Sequence, residues 1–125
     1  MLRRPWGVRR VKARRGDGRL VSGRLGEIGW GGNGGFHALN LALQFGVSRI
    51  VLVGYDMRVD RGLHWHGAHG GGLNNPTEPN VARWRRVIDA AAPILQALGI
   101  RVVNASPVSA LTAYPKMSLE EALEC

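Results

Sequence analysis

Residues Gly31 to Asp56 read GGNGGFHALNLALQFGVSRIVLVGYD, and this stretch decides the fold. Its first five residues set four glycines around Asn33, a composition that regular structure tolerates only at a heavy entropic cost. Phe36, Leu39 and Leu43, with Ala38 and Ala42, then recur at helical spacing, and Gly46 is a natural C-terminal stop. Arg49 to Tyr55, RIVLVGY, is a continuous apolar run with β-branched residues. It predicts a strand buried on both faces, as in a parallel sheet.

Working toward the C-terminus, Arg58 to Asn75 is a loop rich in glycine and histidine and long for a compact domain. Thr77 or Asn80 is placed to cap a helix running to about Leu98, with Val81, Trp84, Ile88, Ala91, Leu95 and Leu98 on one side and Pro93 as a kink. Gly99 stops that helix, and Ile100 to Asn104 predicts a second buried strand. Ser106 to Ala113 reads as a short helix or turn. Pro115 breaks the chain, and Ser118-Leu119-Glu120-Glu121 opens a final helix with a capping box. Loop, helix, strand, loop, helix, strand is the order of a parallel α/β sheet with right-handed crossovers. The expected fold is therefore a Rossmann-like parallel sheet flanked by helices, over residues 28–125. With two good central strands it is a shortened version, which implies missing strands, a partner chain or a fragment.

Toward the N-terminus, residues 8–22, VRRVKARRGDGRLVS, predict two short strands around the turn-forming Gly16-Asp17-Gly18, with Val8, Val11, Leu20 and Val21 as their few apolar positions. Residues 1–27 are thus expected to form a basic arm or hairpin. The formal net charge is +8, and nine Arg or Lys in residues 1–24 stand against Asp17 alone, so the remainder is neutral. A basic arm of this kind binds phosphate backbones by counterion release, or is a solvated hairpin; no base-reading aromatic pattern accompanies it.

Composition bounds the class. With 125 residues, 45% hydrophobic and 21% charged, the chain has the size and balance of one globular domain. No apolar run approaches the ~20 residues of a membrane helix, and no signal peptide is visible. Cys125 is the only cysteine, which excludes a disulfide framework and a cysteine metal site. A cytoplasmic location is expected.

Four constellations carry candidate chemistry. Gly32, Asn33, Gly34 and Gly35 precede a helix, where missing Cβ atoms and helix N-terminal amides suit a phosphate and the Asn33 amide suits a ribose or base. This is neither a dinucleotide fingerprint nor a P-loop, and the alternative is a flexible loop with close helix–strand packing. Asp56 follows a strand, where a carboxylate takes a ribose hydroxyl or a metal ion, or caps a turn. His64, His66 and His69 sit within six positions, suited to a general base near neutral pH or, second, to a transition metal; Trp65 among them stacks on a base or sugar, or anchors the loop. Ser106 and Ser109 follow the second strand and donate to a ligand or cap the next turn. His37 either faces the site or is satisfied in the core.

At GGNGGFHALNLALQFGVSRIVLVGYD, HWHGAH and GIRVVNASPVSALTAYPKMSLEEAL the chain resembles a group of uncharacterised bacterial and phage proteins. That group is related to the 6-hydroxymethylpterin diphosphokinase-like family and, more remotely, to bacterial sialyltransferases of Rossmann-like type. The resemblance covers about residues 28–123 and corresponds to the C-terminal half of that fold; the Gly-x-Gly-Pro-Ser-type phosphate loop of such proteins has no match here. It implies that Asn33-Gly34 and Gly54-Tyr55-Asp56 line a nucleotide site, that Asn104-Ala105-Ser106-Pro107 ends a later strand, and that His64, His66 or His69 is the general base.

The expected function is binding of a nucleotide or nucleotide sugar, with glycosyl or phosphoryl transfer if the chain is catalytic. The alternatives are a non-catalytic binding or assembly module, using residues 1–24 for nucleic acid or a partner chain, and a metal-dependent hydrolase on the histidine loop. A homo-oligomer would complete a shortened sheet; no membrane partner is expected, and the sequence names no cofactor.

Overall fold

The computed structural model describes residue 7 and residues 9–16, 18–60 and 76–124. Along these run β1 (Lys12–Arg14), β2 (Glu27–Gly29), α1 (Gly34–Gln44), β3 (Arg49–Leu52), α2 (Glu78–Ala90), α3 (Ala92–Ala97), β4 (Arg101–Asn104) and α4 (Leu119–Glu124). His64, Trp65, His66 and His69, like Asp17 and Cys125, lie outside the described residues. The fold is mixed α/β, with two short parallel pairs, β1 with β2 and β3 with β4.

The β3–β4 pair follows from the apolar runs. Arg49 faces Arg101, Ile50 faces Val102, Val51 faces Val103 and Leu52 faces Asn104. Parallel neighbours need a long crossover, which α2 and α3 supply. Alternation along the strands then sorts the side chains by face. Leu52 and Val102 join Phe36, Leu39, Ile88 and Leu95 in the main core, whereas Val103 packs with Ala105 and Ala122 of α4. Burial of β3 is less complete than its composition predicts. Arg49, Ile50 and Val51 are half-buried, the strand stops at Leu52, and Val53 is 55% exposed. Only one described strand pairs with β3, and the apolar side chain that follows it is exposed among the described residues.

Helix ends obey local chemistry. The Asn33 side chain caps α1 by accepting from the Phe36 amide at 2.9 Å, and Gly46 takes the left-handed turn that ends it, its N–H reaching the Leu43 carbonyl at 3.1 Å. Thr77 caps α2. The expected single helix to Leu98 is two helices, because Pro93 in the first turn of α3 has no N–H and its ring crowds the carbonyl four residues back. Past this break Leu98 is half exposed rather than on the buried side. At α4 the capping box forms in both directions, Ser118 N–H to the Glu121 carboxylate at 2.9 Å and Glu121 N–H to Ser118 Oγ at 3.1 Å.

The N-terminal region departs from expectation. β1 pairs in parallel with β2, Lys12 to Glu27, and not with residues 20–22 as a hairpin would require. The reason is Asn40, fully buried on α1. Its amide accepts from Val21 N–H at 3.0 Å and donates to the Val21 carbonyl at 2.8 Å, so both backbone groups of the would-be second hairpin strand are held by a side chain. Asn40 Oδ1 also accepts from Gly29 N–H at 2.9 Å, drawing β2 onto the same helix. Gln44, one turn on, bonds Gly26 N–H and the Val21 and Glu27 carbonyls. No described helix is long and apolar enough to cross a membrane.

Candidate functional site

Three chain segments meet at the carboxyl ends of β3 and β4. The Tyr55 hydroxyl donates to the Gly35 carbonyl at 2.9 Å, binding the turn after β3 to the first turn of α1. Tyr55 N–H donates to Ser106 Oγ at 2.9 Å, and Ser109 Oγ donates to the Tyr55 carbonyl at 2.5 Å, binding the same turn to the loop after β4. Asn104, fully buried, orients both serines: its amide donates to Ser109 Oγ at 2.9 Å and its oxygen accepts from Ser106 N–H at 3.1 Å. Asp56 is fastened through its backbone, the carbonyl accepting from Ala110 N–H at 2.8 Å. Met57 follows with φ of +51°, a left-handed conformation unusual for a residue with a side chain, and its carbonyl accepts from Arg85 at 2.9 Å. Burial pushes the Tyr55 phenol above its ordinary pKa, so it stays a donor through the neutral range.

Gly35 is closely packed: a Cβ there would lie 3.0 Å from the Tyr55 ring and 3.1 Å from Asn33 Oδ1, so those side chains would have to give by a few tenths of an ångström. Gly31 is more constrained, with φ of +53° and the Phe36 ring where a Cβ would project. This close packing accounts for much of the glycine run. Gly34 is open and exposed. Asn33 directs its side chain inward to cap α1, satisfying the third helical amide, which leaves those of Gly34 and Gly35 as the unused donors of the first turn.

Among the site residues expected from sequence, Gly35, Asp56 and Ser106 are brought together through Tyr55, with Asn33 and Gly34 one or two residues along the same turn. Ser106 is buried and engaged with Tyr55. The Asp56 carboxylate is exposed, accepts no hydrogen bond among the described residues and lies in the field that holds the Arg58 guanidinium protonated, behind the stronger Arg58–Asp60 ion pair. His37 is at the rim, its Nε2 2.5 Å from the Trp30 carbonyl and its ring tilted against the Trp30 indole. No three His, Cys, Asp or Glu among the described residues are grouped to hold a metal ion.

Sequence reading placed Tyr55 and Asn104 within candidate segments without the bonds they make, and missed Asn40. A tyrosine ending an apolar run and an asparagine inside an apolar helix stripe are the signals that mark two of them. It also placed Trp84 with the apolar stripe of α2, whereas its Nε1–H is buried beside Gly32 with no acceptor among the described residues.

Two cavities are lined by described residues. One, about 210 Å³, is walled by Gly16, Gly18, Trp30, Gly31, Gly32, Arg83 and Val87, on the glycine side of the rim. The larger, about 300 Å³, lies between α3, β4 and Ala113–Pro115 and contains none of the residues expected from sequence. The smaller one includes Gly32, one of the residues expected from sequence.

Comparison with protein-family models, curated proteins and solved structures finds no match. Function therefore rests on the site itself.

Proposed function

We propose that the chain is a Rossmann-like domain that binds a nucleotide or nucleotide sugar where β3 and β4 end. The observation that carries this reading is the Tyr55 clasp. One side chain and its own backbone join the start of α1, the turn after β3 and the loop after β4. Open parallel sheets take ligands outside the carboxyl ends of their strands, where helix amides and loop side chains converge. The open amides of Gly34 and Gly35, with the dipole of the eleven-residue α1 behind them, suit an anionic group. The exposed Asp56 carboxylate suits a ribose hydroxyl. In the catalytic version of this reading the chain transfers a glycosyl or phosphoryl group, and His64, His66 or His69 accepts the proton that the acceptor hydroxyl loses as it attacks.

A thermal-shift panel of nucleotides and nucleotide sugars tests binding. A ligand at about 100-fold its Kd adds roughly 2.7 kcal/mol to native-state stability. Asp56→Asn should weaken the ribonucleotide that responds and spare its 2′,3′-dideoxy counterpart. No response across the panel contradicts the reading. For catalysis, alanine at each of His64, His66 and His69 is assayed for transfer from the nucleotide sugars that bind; full activity in all three removes the general-base assignment.

A second reading is favoured by one observation: Arg9, Arg10, Lys12, Arg15, Arg19 and Arg24 are all exposed, so the basic N-terminal segment presents its charge outward. It describes a nucleic-acid or assembly module. Binding to single-stranded DNA or RNA that weakens steeply with salt and is reduced in an Arg9→Gln, Arg10→Gln, Lys12→Gln triple variant supports it; salt-independent binding does not.

A further inference from the structure

The smaller cavity has a wall built largely of backbone, since Gly16, Gly18, Gly31 and Gly32 put no side chain into it. The charged side chains described at it are cationic. Arg83 lines it, with Asn80 Oδ1 at 3.5 Å as its hydrogen-bond partner, and the Arg15 guanidinium lies 5.9 Å from the centre of the Trp30 ring at its edge. Neither arginine is in an ion pair among the described residues, in contrast to Arg14, Arg24, Arg58 and Arg85. Beside Gly32, within 3.3 Å of where a Cβ would stand, is the Trp84 Nε1–H. It is buried behind the glycine wall, outside the cavity lining, and has no acceptor among the described residues, so it reports on what lies against Gly32. Stacking is the weaker alternative for this cavity, because Arg15 lies over the Trp30 ring and His37 is tilted against it. A cavity walled by main chain and flanked by guanidiniums suits an anion.

We propose that this cavity is a phosphate subsite, in which a phosphate or diphosphate group lies against Gly31 and Gly32 between the Arg83 and Arg15 guanidiniums. The inference rests on the nucleotide reading and adds to it the end of the ligand that this flank holds. Guanidinium groups are well matched to phosphate because they donate in a planar fork to two oxygens at once. Glycines let the group approach the main chain without a clash.

The test uses the full chain labelled with ¹⁵N and titrated with inorganic pyrophosphate. Its readout is the indole N–H signal of Trp84, assigned by its loss in Trp84→Phe. Pyrophosphate is expected to move that signal. Arg83→Gln is expected to weaken pyrophosphate about tenfold or more, as loss of a charged hydrogen-bond donor should. Arg86→Gln, an exposed arginine on the same helix outside the cavity lining, should leave affinity unchanged. Equal unliganded melting temperatures for the parent and Arg83→Gln exclude a folding defect, and Arg83→Lys, which keeps the charge and loses the fork, should fall between them. An unmoved Trp84 signal, or equal affinity in Arg83→Gln, overturns the subsite. Nucleosides that bind where pyrophosphate does not overturn it too, while leaving the nucleotide reading standing. Pyrophosphate binding that depends on Arg83, with no mononucleotide competing, supports the subsite and overturns the nucleotide reading. In that case an oligonucleotide that displaces pyrophosphate identifies a polymer backbone as the source of the phosphate.

Discussion

The β3–β4 unit and the β1–β2 unit are both parallel pairs, yet different forces hold them. β3 and β4 sit on an apolar core in which Phe36, Ile88, Leu95 and Leu111 are fully buried, and the polar clasp at their ends is added to that core. β1 and β2 have little of this. Val11 beside β1 is 37% exposed and Leu25 before β2 is 62% exposed, and Ile28 and Val21 are the buried apolar side chains there. Their positions are set by Asn40 and Gln44 reaching from α1 to backbone groups, and by Arg14 donating to Glu27 at 2.8 Å. That guanidinium holds the Glu27 carboxyl below its ordinary pKa. Hydrophobic burial is non-directional and tolerates adjustment, whereas a buried amide works only while every partner stays in place. The second unit should therefore fail locally, and the first only as a whole.

Three substitutions probe that contrast. Leu95→Ala has the largest expected effect, about 2–5 kcal/mol, because it opens a cavity where α3 meets the core. Urea denaturation should show one cooperative transition displaced as a unit; a loss under about 1 kcal/mol would mean the site collapses to fill the space. Asn40→Leu should cost roughly 3 kcal/mol, since buried backbone groups at Val21 and Gly29 lose their partners. Hydrogen exchange is the discriminating measurement. Protection should fall at residues 12–14 and 27–29 while residues 49–52 and 101–104 retain theirs. Uniform loss of protection would erase the distinction between the units.

Tyr114→Phe is the smallest. The Tyr114 hydroxyl donates to the Ile88 carbonyl at 2.5 Å, and its removal should cost about 1 kcal/mol at neutral pH. Burial, reinforced by the Asp89 carboxylate, raises the Tyr114 pKa well above its ordinary value of about 10. A raised folded-state pKa stabilises below the unfolded value and loses that contribution as pH climbs past it, so the parent chain should weaken above about pH 10. Urea midpoints at about pH 8 and pH 11 should show the gap between parent and Tyr114→Phe narrowing on the alkaline side. A gap that stays constant would contradict the burial of this phenol.

Legibility in the sequence followed the same divide. Phe36, Leu39, the RIVL run and the Val81–Ile88 spacing carry periodic apolar signals, so α1, β3, α2 and β4 were all readable, as were the caps at Thr77, one of two candidates, and Ser118. The hairpin expected at residues 8–22 was not formed, because its pairing partner is the side chain of a residue 19 positions beyond Val21, and no local pattern encodes such a bond. At the site, the positions of Asn33, Gly34, Asp56 and Ser106 at strand and helix ends were legible, but their employment was not. Asn33 and Ser106 look equally suited to ligand or backbone until their partners are known. The glycine run had a similar ambiguity, which Tyr55 and Phe36 resolve at Gly35 and Gly31 in favour of packing.

A nucleotide titration followed amide by amide in the ¹⁵N-labelled chain tests the central claim most directly. The account predicts that the signals that move cluster at Gly31–Gly35, Tyr55–Asp56 and Ser106, with those lining the α3–β4 cavity, such as Gln96 and Ala113, unmoved. Shifts centred on Gln96, Arg101 and Ala113, or no shifts with any nucleotide, would contradict it.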